Sequence, residues 1–142
     1  MDFGNDTIQA GLIAKAKSIT AITSLVTNSE SIVEIREAEW QGVDFEYPAI
    51  RLRLRPTQVP IEDCGPVRIQ FVWEVYSEQA SSKESMDIAT AIISNFPKSW
   101  TYTDSGGQEY LFNGIKTSLI DRPFRIGQRT WQENVEMAGF IR

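Results

Sequence analysis

The stretch Val67-Arg68-Ile69-Gln70-Phe71-Val72-Trp73-Glu74-Val75-Tyr76-Ser77 decides the fold. Val67, Ile69, Phe71, Trp73 and Val75 fall on one parity, and Arg68, Gln70, Val72, Glu74 and Tyr76 on the other. A period of two marks a strand with one face on a core. Val72 makes the other face mixed, which predicts a central position in a sheet.

Upstream, Ala49 to Arg55 reads as a second strand, with Ile50, Leu52 and Leu54 opposite Arg51, Arg53 and Arg55. Pro48 and Pro56 bracket it, where a missing amide donor does least harm. Pro56 to Pro66 holds three prolines and one glycine in eleven residues, an excursion longer than a hairpin needs. Ser31 to Trp40 reads as a strand through Ile32, Val33 and Ile35, weakened at its end by Glu37-Ala38-Glu39. Gln41 to Asp44 reads as a turn. Asn5 to Val26 reads as one helix, with Ile8, Leu12, Ile13, Ala16, Ile19 and Val26 at helical spacing and Asn5 or Asp6 as its cap.

Downstream, Ser81-Ser82-Lys83-Glu84 fits a capping box, with Ser81 as cap and Glu84 reaching back. The helix runs to about Asn95, and Pro97 stops it. Its expected buried stripe is Ala89, Ile92, Ile93 and Phe96, helped by Met86 and Ile88. Trp100-Thr101-Tyr102 is compatible with a short strand, left out of the element order below, and Asp104 to Gly107 reads as a turn. Tyr110 to Ile120 and Thr130 to Ile141 close the chain, with Arg122-Pro123 and Ile126-Gly127-Gln128 interrupting the link. On the last strand Trp131, Val135, Met137 and Ile141 share a parity, with Glu133 the polar exception. The order α-β-β-β-α-β-β predicts an α+β fold: a mostly antiparallel sheet of about five strands with two helices packed on one face. At 142 residues the chain is read as a single domain, 1–142.

Composition narrows the chemistry. The chain has no histidine, which removes Ser-His-Asp and Cys-His catalysis and any His-containing zinc site. Its one cysteine, Cys64, forms neither an internal disulfide nor a CxxC site. No catalytic residues, metal ligands or cofactor-binding residues are assigned, and the chain is read as non-enzymatic. A net charge of −5 disfavours a sequence-independent nucleic-acid clamp. The first residues carry no positive n-region, and no apolar run approaches the ~18 residues of a membrane span, so a soluble cytoplasmic chain is expected.

The most pointed feature is the row Arg51, Arg53 and Arg55, guanidiniums about 7 Å apart along one strand face. Such a row can meet phosphates, or it can pair with carboxylates across strands or subunits, for which Glu74 and Glu136 are available. Carboxylate pairs such as Glu37/Glu39 and Glu62/Asp63 read as solvated faces. Trp40, Phe45, Tyr47, Trp100 and Tyr102 flank turns, where aromatics line the rim of a core or anchor an interface. Of these, Tyr47, Trp100 and Tyr102 join the arginine row as the candidate subunit or partner interface.

The whole plan resembles the short phage tail-completion proteins, the tail terminators or tail-to-head joining proteins. The resemblance lies in order and spacing: the opening helix Ile8 to Val26, then Phe45-Glu46-Tyr47-Pro48 leading into Ala49-Ile50-Arg51-Leu52. The alternating strand to Ser77, the helix Ser82 to Phe96 and the two closing strands follow. The resemblance implies a virion protein of the tail-neck region, assembled in the host cytoplasm. It implies a homo-oligomeric ring, a hexamer, that caps the tail tube, ends its polymerisation and joins it to the head connector or neck protein. DNA would pass through the lumen without specific binding. Another neck or tail-tube component, or a small non-catalytic binding domain, is the alternative.

Overall fold

The computed structural model describes residues 4–40, 46–56 and 65–142. The Gln41–Asp44 turn, Cys64 and most of the Pro56–Pro66 excursion lie outside the described residues. The elements are α1 (Asn5–Lys17), α2 (Thr20–Thr23), β1 (Ile35–Glu37), β2 (Ala49–Leu54), β3 (Val67–Glu78), α3 (Lys83–Asn95), β4 (Trp100–Thr103), β5 (Glu109–Ile120), β6 (Phe124–Arg125) and β7 (Thr130–Ile141). The fold is α+β, with three helices and seven strands among the described residues where the sequence predicted two and about five.

The strand order is β1-β2-β3-β7-β5-β4, with β6 beside β7. β3 is central, paired with β2 over Phe71–Tyr76 and with β7 along its whole length. All pairings are antiparallel except β1 with β2, which is parallel. β1 is also much shorter than the Ser31–Trp40 strand expected: Thr27 and Val33 bridge, and the Glu34 amide donates to the Val26 carbonyl. The entry to β1 thus folds back on the end of the helical segment.

The opening helix is broken. Ser18 ends α1 by donating both its amide and its hydroxyl to the Lys15 carbonyl, and Ile19 is extended before α2 begins. A serine hydroxyl competing for a helix carbonyl is a known local terminator. Gly4 is the N-cap; neither Asn5 nor Asp6 caps through its side chain, because both already lie inside the first turn. The capping box before α3 does not form either. Ser82 is the N-cap and makes no side-chain cap bond, and Ser81 Oγ accepts only a long 3.4 Å bond from the Lys83 amide. On α3 the buried stripe is Ser85, Ile88, Ala89 and Ile92, whereas Met86 is 42% exposed.

Both long helices feed one core on the inner face of the sheet. Its centre is an aromatic chain: Trp73 to Phe96 at 5.5 Å, Phe96 to Trp100 at 5.3 Å, and Trp100 stacked on Phe112 at 4.7 Å. This ties β3, the end of α3, β4 and β5 together. α1 contacts β1 and β2, yet its Gly11 abuts Phe112 of β5 and Tyr102 of β4, so the sheet curls until one helix reaches both ends of the strand order.

Gly11 permits that approach, because a Cβ there would stand 2.5 Å from the Phe112 ring, which the Trp100 stack holds in place. Ala in an open helix gains ~1 kcal/mol over Gly. Gly11→Ala is expected instead to lose about 1–3 kcal/mol, as overpacked cores do. Urea denaturation checks the sign, and a gain in stability would refute this packing.

Candidate functional site

The arginine row stands on the face of β2 away from the helices, and its members differ sharply in environment. Arg51 is 3% exposed. Its Nη2 donates to Glu34 Oε2 at 3.2 Å, and Nη1 donates to the Ile50 carbonyl at 3.1 Å. Glu34, itself buried, also lies 3.6 Å from Arg36 Nε. The Arg36 guanidinium sits 3.9 Å over the Trp40 ring and that of Arg51 5.6 Å from it, an arrangement the ring quadrupole favours. Burial pulls the Arg51 pKa down, and the Glu34 carboxylate opposes it.

Arg53 is half exposed. Its Nε donates to Glu74 Oε2 at 3.2 Å, and Glu39 stands 3.9 Å from Nη1. The bond to Glu74 raises the Arg53 pKa. Arg55 reaches past β3 to Glu136 of β7, 3.3 Å away. In register, Arg51 faces Glu74 and Arg53 faces Val72, so the Arg53–Glu74 contact is a diagonal one. Tyr76 adjoins this network. Its pKa is pushed up to about 12, by burial first and then by the Glu74 charge.

The row is therefore neutralised within the chain, with Glu74 and Glu136 as two of its partners. Glu34 was missed by the sequence reading, and Trp40 was read only as one of the aromatics flanking turns. The parity of Glu34 and Arg36 against buried Ile35 was the available signal for the first. Trp100 and Tyr102 do not join this face. Both pack against the core, Trp100 on Phe112 and Tyr102 beside Tyr110 at 6.5 Å. Tyr47 is half-buried at the entry to β2, next to a cis Tyr47–Pro48 bond.

A buried acid lies on the opposite face. Glu133 is 4% exposed, directly across from Val75 in the β3–β7 ladder. Burial pushes its pKa up to about 7, and the nearby Asp121 carboxylate adds to the shift. Glu84 on α3 is raised the same way, by burial and then by Asp87. Among the described residues no group of three or more His, Cys, Asp or Glu is placed to hold a metal ion. No described helix is long and apolar enough to cross a membrane.

No family profile matches the sequence, and no curated protein matches it. Among solved structures, the chain is similar to one in the virion of a native gene transfer agent (GTA) particle. The TM-score is 0.62 at 14% identity, over 94% of this chain and 93% of that one.

Two outcomes follow from these environments. Arg51→Met takes the direct partner from the buried Glu34 carboxylate, leaving it Arg36 at 3.6 Å and the Asn28 amide at 3.4 Å, and is expected to cost on the order of 3 kcal/mol. Arg55→Met breaks a half-exposed pair and is expected to cost under about 1 kcal/mol. Paired denaturant titrations measure both, and equal losses would contradict the gradient.

The second concerns pH. The Glu133 pKa is raised on folding, so the native state holds a proton that the unfolded chain releases. The associated stability is complete below the ordinary glutamate range near 4.5 and is lost as pH rises through about 7. Glu133→Gln is expected to gain roughly 2 kcal/mol at pH 8 and nothing near pH 4. Thermal melts across that range test it.

The chain thus shares its fold, over 94% of its length, with a chain in the virion of a gene transfer agent particle.

Proposed function

We propose that this chain is a structural, non-catalytic subunit of a phage-like particle, a ring-forming tail terminator at the joint between tail and head. The likeness to the GTA virion chain carries the reading, because it spans both chains almost completely. The element order and the Tyr47-Pro48 entry into β2 support the finer assignment through their resemblance to tail-completion proteins. The ring, a hexamer, caps the tail tube and presents its other surface to the connector. A chain of net charge −5 suits a lumen through which DNA passes without being held.

The arginine row in this reading braces each subunit internally. Duplex DNA binding is expected to be undetectable at physiological salt. Light scattering should give a closed assembly, about 97 kDa for six copies of a 16.1 kDa chain, either free or on isolated tails. Electron microscopy of tails assembled with and without the protein checks the role. Tubes of unregulated length in its absence are expected, and tubes of unchanged length would assign it to another position in the neck or tube.

A further inference from the structure

The sheet leaves one long edge open. β4 covers β5 only from Glu109 to Phe112. Beyond it the Ile115 amide donates to the Lys98 carbonyl, and from Lys116 onward no strand lies on the far side among the described residues. β5 and then β6 run on beside β7, with Leu119 facing Glu136 and Phe124 facing Gln132. Leu119 and Ile120 are neighbours on opposite faces, yet they are 50% and 52% exposed. Phe124 is 41% and Ile126 47% exposed. Bare aliphatic edges invite pairing, and folded proteins normally cover or charge them.

This edge is basic. Residues 113–129 hold Lys116, Arg122, Arg125 and Arg129 against Asp121 alone. At the other end of the strand order, residues 28–40 around β1 hold Glu30, Glu34, Glu37 and Glu39 against Arg36 alone. That end also exposes an aliphatic side chain, Ile32 at 42%. Glu34 is buried against Arg51 and Glu39 lies 3.9 Å from Arg53, so Glu30 and Glu37 carry the acidic character of this end. The two ends are thus opposite in sign, each with apolar surface. Two different, mutually complementary patches on one chain are what a head-to-tail contact requires, and such contacts make a ring where the rotation between copies closes.

We infer that the β5–β6 edge of one copy docks on the acidic β1 end of the next copy. Leu119, Ile120 and Phe124 meet Ile32, and Arg122 and Arg125 meet Glu30 and Glu37. The inference rests on the ring reading above and gives that ring its contact. The apolar residues within the basic edge favour a protein over DNA, whose phosphates offer nothing to Leu119 and Ile120.

Charge exchange tests it on the full chain. Arg122→Glu/Arg125→Glu makes both ends acidic, and Glu30→Lys/Glu37→Lys makes both basic. Each double variant is expected to need about tenfold more protein, or greater, to assemble. The fourfold variant restores opposite signs and should recover wild-type assembly. Leu119→Ser, at an exposed site, should weaken assembly without lowering the melt. Wild type that stays monomeric, both free and on tails, would sink the ring reading itself. A wild-type ring that both double variants and Leu119→Ser leave intact would overturn this contact while the ring stands. Double variants that fail with no fourfold recovery would also overturn the pairing. So would duplex DNA binding lost on changing Arg122 and Arg125.

Discussion

Strand β3 is screened from water on both edges and along much of both faces, and the other elements are placed against it. The antiparallel ladder with β7 is continuous from Val67–Ile141 to Glu78–Thr130. A ladder of that length fixes side-chain parity on both strands at once, since a slip of one residue would send every side chain to the opposite face. It puts Trp73 beside Val135 and Phe71 beside Met137 within the aromatic core. It also sets Glu74 and Glu136 on the other face, where the β2 arginines can reach them.

That outer face shows one residue type in graded surroundings. Arg51 is buried and shares the interior with Glu34, so its charge is tolerable only because its partner is present. Arg53 and Arg55 are half exposed, and water screens most of their Coulomb attraction. Three arginines at identical sequence spacing thus contribute differently, and the difference follows from Trp40 and the β1 segment lying over only one end of the row.

Alternation and proline punctuation made most of the sheet legible. β3, β5 and β7 fall within two residues of the strands read from sequence, because long period-two patterns outweigh local propensity. The opening helix misled because Ile19 and Val26 keep helical spacing while the backbone breaks at Ser18, so side-chain period survived where hydrogen bonding did not. The parallel β1–β2 pairing left no mark on either strand, since register between strands is a tertiary property. β6 is two residues long, below what periodicity can register. Of the candidate site, the arginines and two of their partners could be read from parity. The inequality among them could not, because it depends on what the chain folds over them. Trp100 and Tyr102 were read as rim aromatics or anchors, and they pack against the core.

The register between β5 and β7 shifts twice, between Asn113 and Lys116 and again between Thr117 and Leu119. Gly114, at φ +64°, lies in the first shift, where a left-handed backbone is cheapest without a side chain. Each shift spends one more residue on β5 than on β7, so β5 takes the longer path, like the outer lane of a curved track. The bend of the sheet at this margin is therefore written as chain length. Removing one residue there would shorten the outer lane and turn Leu119 and Ile120 inside out. Removing two would keep their facing and flatten the curve, so sidedness and curvature at this margin are separable quantities.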